Sequence, residues 1–172
     1  HDHDGQALMF QDPALGLSAA AREKADSLPG RVAKVAELIA EAPDDHFVVW
    51  HDLEAERHAI QQAVPEAVSV WGSQDLEERE QRIVDFGEGR HRILSTKPVI
   101  AGSSCNFQRH CHREIFAGIG FKFNDFIQAV HRCHRFQQPH RVRIDIVYSE
   151  AEREVLRTLQ QRMMAHAEAL QF

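Results

Sequence analysis

His46-Phe47-Val48-Val49-Trp50 (46–50) decides how the rest of the chain is read. The run is β-rich and almost wholly apolar, and it is too short for a helix, so it reads as a strand buried on both faces. Upstream, Ser18 can cap a helix through about Ser27. Pro29 stands where a second helix would open. In that second helix Val32, Val35, Leu38 and Ile39 recur at helical spacing until Pro43 ends it. Downstream, Asp52 opens an amphipathic helix to Val64, and Ala67-Val68-Ser69-Val70-Trp71 is a second short strand. Asp75 begins a charged helix to about Phe86 with Leu76, Ile83 and Phe86 facing inward. Strands follow over 91–95, 113–117 and 141–148, with a helix from Asn124 or Asp125 to about Phe136 and a long terminal helix from about Glu150. Strands alternating with helices predict a three-layer α/β fold, its mostly parallel sheet covered by helices on both faces. Ligands of such sheets gather at the carboxyl ends of the strands.

The chain has 172 residues, enough for one compact domain over 17–172. Residues 1–16, with Gly5, Pro13 and Gly16 among acidic and small residues, read as a linker or disordered end. The chain does not begin with Met, which reads as a piece of a longer polypeptide. The formal net charge of −6 argues against a wholly basic nucleic-acid coat protein. Apolar runs are far too short for a membrane helix of roughly 20 residues. Three cysteines suit free thiols in a reducing, cytoplasmic setting better than a disulfide framework.

Charge is distributed unevenly. Residues 109–143 hold seven Lys or Arg against two Asp or Glu, while the remainder holds thirteen against twenty-four. Such a cationic patch on an acidic chain points to a specific polyanion site. Within it lies Gln128-Ala129-Val130-His131-Arg132-Cys133-His134-Arg135. On one continuous helix Gln128, Arg132 and Arg135 share a face. Two guanidiniums and an amide there form a donor surface suited to phosphate oxygens. A second constellation is Ser95-Thr96-Lys97 followed by Gly102-Ser103-Ser104-Cys105-Asn106, which places hydroxyls, backbone N–H groups and an ammonium at a strand end. A third is Gly72-Ser73 after Trp71, with Arg79 in the next helix. No G-x-x-x-x-G-K-[ST] phosphate loop is present, and no strand ends in the acidic pair that holds Mg²⁺ beside one.

In this order the motifs resemble the C-terminal RecA-like lobe of superfamily-two helicases, closest in flavour to Swi/Snf-type DNA translocases. Gln128 to Arg135, continued by Phe136-Gln137-Gln138, is similar to motif VI; Ser95 to Phe107 resembles motif V; Phe47 to His51 resembles motif IV. Departures include His131 in place of the usual Gly and Cys105 in place of an aliphatic residue. The resemblance implies an ATP hydrolase split over two lobes. Arg132 and Arg135 would be arginine fingers. Gln128, Gly102, Ser104 and Asn106 would lie on the ATP side. Ser95, Thr96, Lys97, Gly72, Ser73 and Arg79 would meet the nucleic-acid backbone, DNA in the Swi/Snf type. ATP and Mg would be held mainly by the N-terminal lobe of the same polypeptide, so this chain alone would be inactive, with no metal of its own. Two alternatives stand beside this reading. One is a non-catalytic scaffold. The other is a zinc-bearing interaction module using Cys105, His110, Cys111, His112, His131, Cys133 or His134, although their spacing lacks a C-x₂-C pair.

Overall fold

A computed structural model describes residues 13–101 and 105–170. Its elements, in chain order, are α1 (Pro13–Ala40), β1 (His46–Trp50), α2 (Glu54–Ala63), β2 (Val68–Ser69), α3 (Leu76–Gly87) and β3 (Ile93–Thr96). Then come β4 (Cys111–Phe116), α4 (Phe123–Cys133), β5 (Arg143–Ile146), a 3₁₀ turn (Glu150–Glu152) and α5 (Arg153–Ala169). All five strands are parallel, in the order β2-β3-β1-β4-β5.

β1 lies in the middle of the sheet, and its period-two alternation feeds two cores. Phe47 and Val49 pack with Val32, Val35 and Leu38 of α1 and Ile60 of α2. Val48 and Trp50 pack on the opposite face with Ile83 and Phe86 of α3 and Phe126 and Ala129 of α4. Both faces of β1 are therefore covered, as its unbroken apolar run predicts, and the α/β three-layer expectation holds. Each such side chain contributes about 1.5–3 kcal/mol by leaving water. Trp50 Nε1 donates to Glu114 Oε1 at 3.0 Å within the second core. Burial pushes the Glu114 carboxyl well above the ordinary carboxylate value, favouring its protonated form.

The largest departure from the sequence expectation is at Pro29, which lies inside one continuous helix instead of opening a second. Pro29 cannot donate to the carbonyl four residues back, and its ring crowds that turn. Beside this turn Arg31 Nη2 donates to Lys24 O at 2.8 Å, and Ser27 Oγ donates to the same carbonyl at 3.4 Å. α1 also begins at Pro13, so the segment expected to be a linker runs into helix, and residues 1–12 lie outside the described ones.

Arg31 is 4% exposed and joins three segments. Its Nη1 donates to Glu56 Oε2 at 2.5 Å and to the Ala117 carbonyl, and its Nε donates to Ser27 Oγ at 3.0 Å. Glu56 in turn caps α2, its Oε1 accepting from Asp52 N at 3.0 Å and Leu53 N at 2.8 Å. The carboxylate that closes this helix start is thus Glu56 and not the expected Asp52, which pairs with Lys24 at 3.6 Å. A Cβ on Gly118 would stand 3.3 Å from both Arg31 Nη1 and Glu56 Oε2, so the absence of a side chain lets the β4–α4 turn close over the pair. At α3 the expected cap is present, Asp75 Oδ1 accepting from Glu78 N at 3.1 Å. Leu76 is 56% exposed, because the first residue of that helix lies beyond the edge of the core.

Candidate functional site

The carboxyl ends of the strands carry one group of the expected residues. Gly72 and Ser73 are exposed after β2, and Arg79 Nη1 reaches back from α3 to donate to Gly72 O at 3.1 Å. Lys97 follows β3, with its Nζ 3.6 Å from Glu54 Oε1. Trp71 beside them is half-buried under the guanidiniums of Arg57 at 4.5 Å and Arg82 at 5.9 Å. Ser95 and Thr96 depart from expectation. Both are buried, at 1% and 0% exposure, and neither hydroxyl meets a hydrogen-bond partner. As the last residues of an interior strand they point into the layers above and below the sheet, whereas Lys97 and the Gly72-Ser73 turn lie at its edge.

His51 follows β1 at the same edge, fully buried. Burial drives its imidazole down to about 4, against a smaller opposing effect from Glu56. The folded state therefore favours the neutral ring, and this contribution to stability is fully present above the unfolded value of about 6.5. It is lost as pH falls from there through about 4. The raised Glu114 carboxyl acts in the opposite direction, its contribution being present in acid and lost as pH rises above the usual carboxylate value. The informative quantity is consequently the difference between the protein and His51→Gln. Between pH 7 and pH 4 the stability advantage of the wild-type chain over the variant should shrink by about 3 kcal/mol. Urea denaturation at several pH values measures it; a pH-independent difference would show that His51 does not titrate in this range.

The arginines occupy the opposite end of the sheet. α4 runs antiparallel to β4, so the end of the helix returns to the level where β4 begins. Gln138 there donates to the carbonyls of both Cys133 and Cys111, one at the end of α4 and one at the start of β4. The helix stops at Cys133, with His134 as its cap at φ −83° and ψ 81°. Gln128 and Arg132 thus share the helix face as predicted, whereas Arg135 lies in the turn beyond it. Even so, the three line one shallow cavity of about 380 Å³ with His131, His134 and Phe136. Arg132 is half-buried, and burial pulls its guanidinium below the ordinary arginine value, with the neighbouring Arg135 acting in the same direction and Cys105 and Glu114 opposing.

The loop after β3 is tied to this turn. Phe107 N donates to Arg132 O at 3.1 Å, and Arg135 Nη1 donates to Asn106 Oδ1 and, at 3.3 Å, to Cys105 O. Asn106 is therefore brought to the arginines; Gly102 and Ser104 lie outside the described residues. A second cavity, about 750 Å³, lies between α3 and this loop, with Arg79, Asn106 and Gln137 on its wall.

A set of histidines gathers at the starts of the strands, of which sequence reasoning gave His110 and His112 a part only in the zinc alternative and His46 and His140 none. His46 and His110 have ring centroids 6.1 Å apart, His112 and His140 4.6 Å apart, and His112 Nε2 stands 3.8 Å from Asp45 Oδ2. Only a topology that aligns the beginnings of β1, β4 and β5 gathers them. Among the described residues, no three His, Cys, Asp or Glu side chains converge as metal ligands, and the three cysteines are free thiols, so nothing there favours the zinc-bearing alternative. Among the same residues, no helix is long and apolar enough to cross a membrane.

No known protein family matches the chain, and no curated protein does. Solved structures do. The C-terminal part of the Fun30 ATPase domain superposes with a TM-score of 0.62 at 16% identity, covering 74% of this chain and 44% of that one. The C-terminal domain of the DEAD-box protein Dbp5 superposes with a TM-score of 0.64 at 17% identity, covering 77% and 78%. A Dbp5 variant from S. cerevisiae, bound to RNA and ADP BeF3, superposes with a TM-score of 0.63 at 18% identity, covering 76% of this chain and 35% of that one. The chain thus spans less than half of the Fun30 chain and has the RecA-like fold of helicase C-terminal lobes.

Proposed function

We propose that this chain is the C-terminal motor lobe of an ATP-dependent nucleic-acid translocase, of the Swi/Snf-like type acting on DNA in the cytoplasm. In this reading Arg132 and Arg135 face the phosphates of an ATP held by an N-terminal lobe of the same polypeptide. Lys97, Gly72, Ser73 and Arg79 meet the nucleic-acid backbone. Phosphate contacts of this kind carry no base information, so little sequence preference is expected.

One observation carries the reading: a single loop joins the two surfaces. It leaves the carboxyl edge at Lys97 and ends against the arginine turn through Asn106 and Phe107. A shift of the arginines toward or away from phosphate is thereby linked to the residues that would meet nucleic acid. The cavity at the arginines suits a polyphosphate, since Gln128, Arg132 and Arg135 all offer N–H donors. Among the described residues its wall is Gln128, His131, Arg132, His134, Arg135 and Phe136; in this reading Mg²⁺ is held by the other lobe. The resident groups hold and neutralise phosphate charge when ATP is bound; the fixed positive charge of guanidinium suits charge developing on a transferring phosphoryl group.

The test compares this chain with a two-lobed polypeptide in which an ATP-binding lobe precedes it. The chain alone should release no phosphate from ATP, while the two-lobed polypeptide should do so faster when an oligonucleotide is added. Robust turnover by the chain alone, or turnover indifferent to nucleic acid, would overturn the assignment.

A further inference from the structure

The turn that carries Arg135 is held at both ends by one side chain. Gln138 is half-buried, and its Nε2 donates to Cys133 O at 3.0 Å and to Cys111 O at 2.9 Å, while its Oε1 accepts from His140 N at 3.1 Å. Its backbone N donates to Arg135 O at 3.1 Å, and Arg135 N donates to Cys133 O at 3.1 Å. Between them Gln137 takes φ 71°, the left-handed region that a side chain ordinarily avoids. Such a conformation persists where the surroundings over-determine it. Cys133 supplies a terminal helix carbonyl that lacks an intrahelical partner, and Cys111 is the first residue of β4. The carboxamide therefore ties the end of α4, the start of β4 and the approach to β5 around the peptide units of Arg135, using both donors and the acceptor that an amide offers.

We propose that Gln138 is a positioning residue for Arg135: its carboxamide fixes the turn so that the guanidinium is presented to the polyphosphate site. The proposal rests on the motor reading above for its consequence in turnover, and on the turn's own hydrogen bonds for the positioning itself. Gln138 need not touch nucleotide to act in this way. A displacement of about 1 Å in a positioned catalytic group can cost on the order of 10²-fold in rate.

Gln138→Met keeps the length of the side chain and removes its hydrogen bonds. In the two-lobed polypeptide it should lower kcat by roughly 10- to 100-fold, with KM for ATP changing by less than about threefold. In an Arg135→Ala background it should lower kcat no further, because its effect passes through that arginine. In this chain alone, the Nε–Hε resonance of Arg135 should move and broaden in the variant, while urea denaturation shows it still folded; Gln138→Asn serves as the second variant if Met prevents folding. Equal losses with and without Arg135, or an Arg135 resonance unmoved in a folded variant, would overturn the proposal. If Arg135→Ala itself leaves turnover unchanged, the motor reading falls, and the resonance alone then decides whether Gln138 positions the turn.

Discussion

Arg135→Ala, introduced into a two-lobed polypeptide, is expected to lower ATP turnover by about 10³- to 10⁵-fold, the range of an arginine finger. A guanidinium keeps its charge at any working pH and offers several N–H donors in one plane. Alanine removes both the charge and the fork from the place where charge develops during phosphoryl transfer. Arg135→Lys should recover only part of the loss, since an ammonium restores the charge without the planar geometry. ATP affinity should change by only a few-fold, because the other lobe supplies most of the binding. Phosphate release and the binding of a fluorescent nucleotide check the two quantities separately. Turnover within tenfold of the unaltered protein would remove Arg135 from the mechanism.

Arg31→Met should be the most destabilising single substitution at the buried network. It removes the positive partner of Glu56, which is 3% exposed, and strips a donor from the carbonyls of Ala117 and Lys24. Removing one member of a buried ion pair costs about 3–5 kcal/mol, largely because the other charge is left in a poor environment. At an ordinary slope for urea that is a fall of roughly 2 M in the denaturation midpoint. Adding Glu56→Gln to Arg31→Met should return part of the loss, since no buried charge then stands alone. A shift below about 1 kcal/mol, or a double variant less stable than Arg31→Met, would show that the pair is solvated or otherwise compensated.

These expectations depend on different levels of the chain. Strand positions were legible because alternation is a local property: Phe47-Val48-Val49-Trp50 could only be a strand with apolar surroundings on both sides, and it is. Pro29 was misread because a proline at the head of an apolar stripe also suits a helix start, and local pattern does not register that the helix continues through it. Arg135 was misplaced on the helix because the stop after Cys133 is set by Gln138 and the start of β4. Periodicity cannot register that tertiary constraint. Ser95 and Thr96 show the converse limit: their residue types suit a ligand, but position in an interior strand determined where they point. The link from Asn106 to Arg135 joins residues nearly thirty apart, and spacing alone could not supply it.

The placement of β1 between β3 and β4 has a consequence for synthesis. Both lateral partners of this strand are translated after it, so while the chain emerges from the ribosome its most apolar segment is complete and has nothing to pair with. Helix α1 can cover one face early and β3 can pair one edge, but the other edge stays open until Cys111–Phe116 has left the exit tunnel. During that interval the nascent chain presents a sticky ribbon. Chaperone occupancy, and any tendency of truncated products to aggregate, should therefore end abruptly once β4 is released.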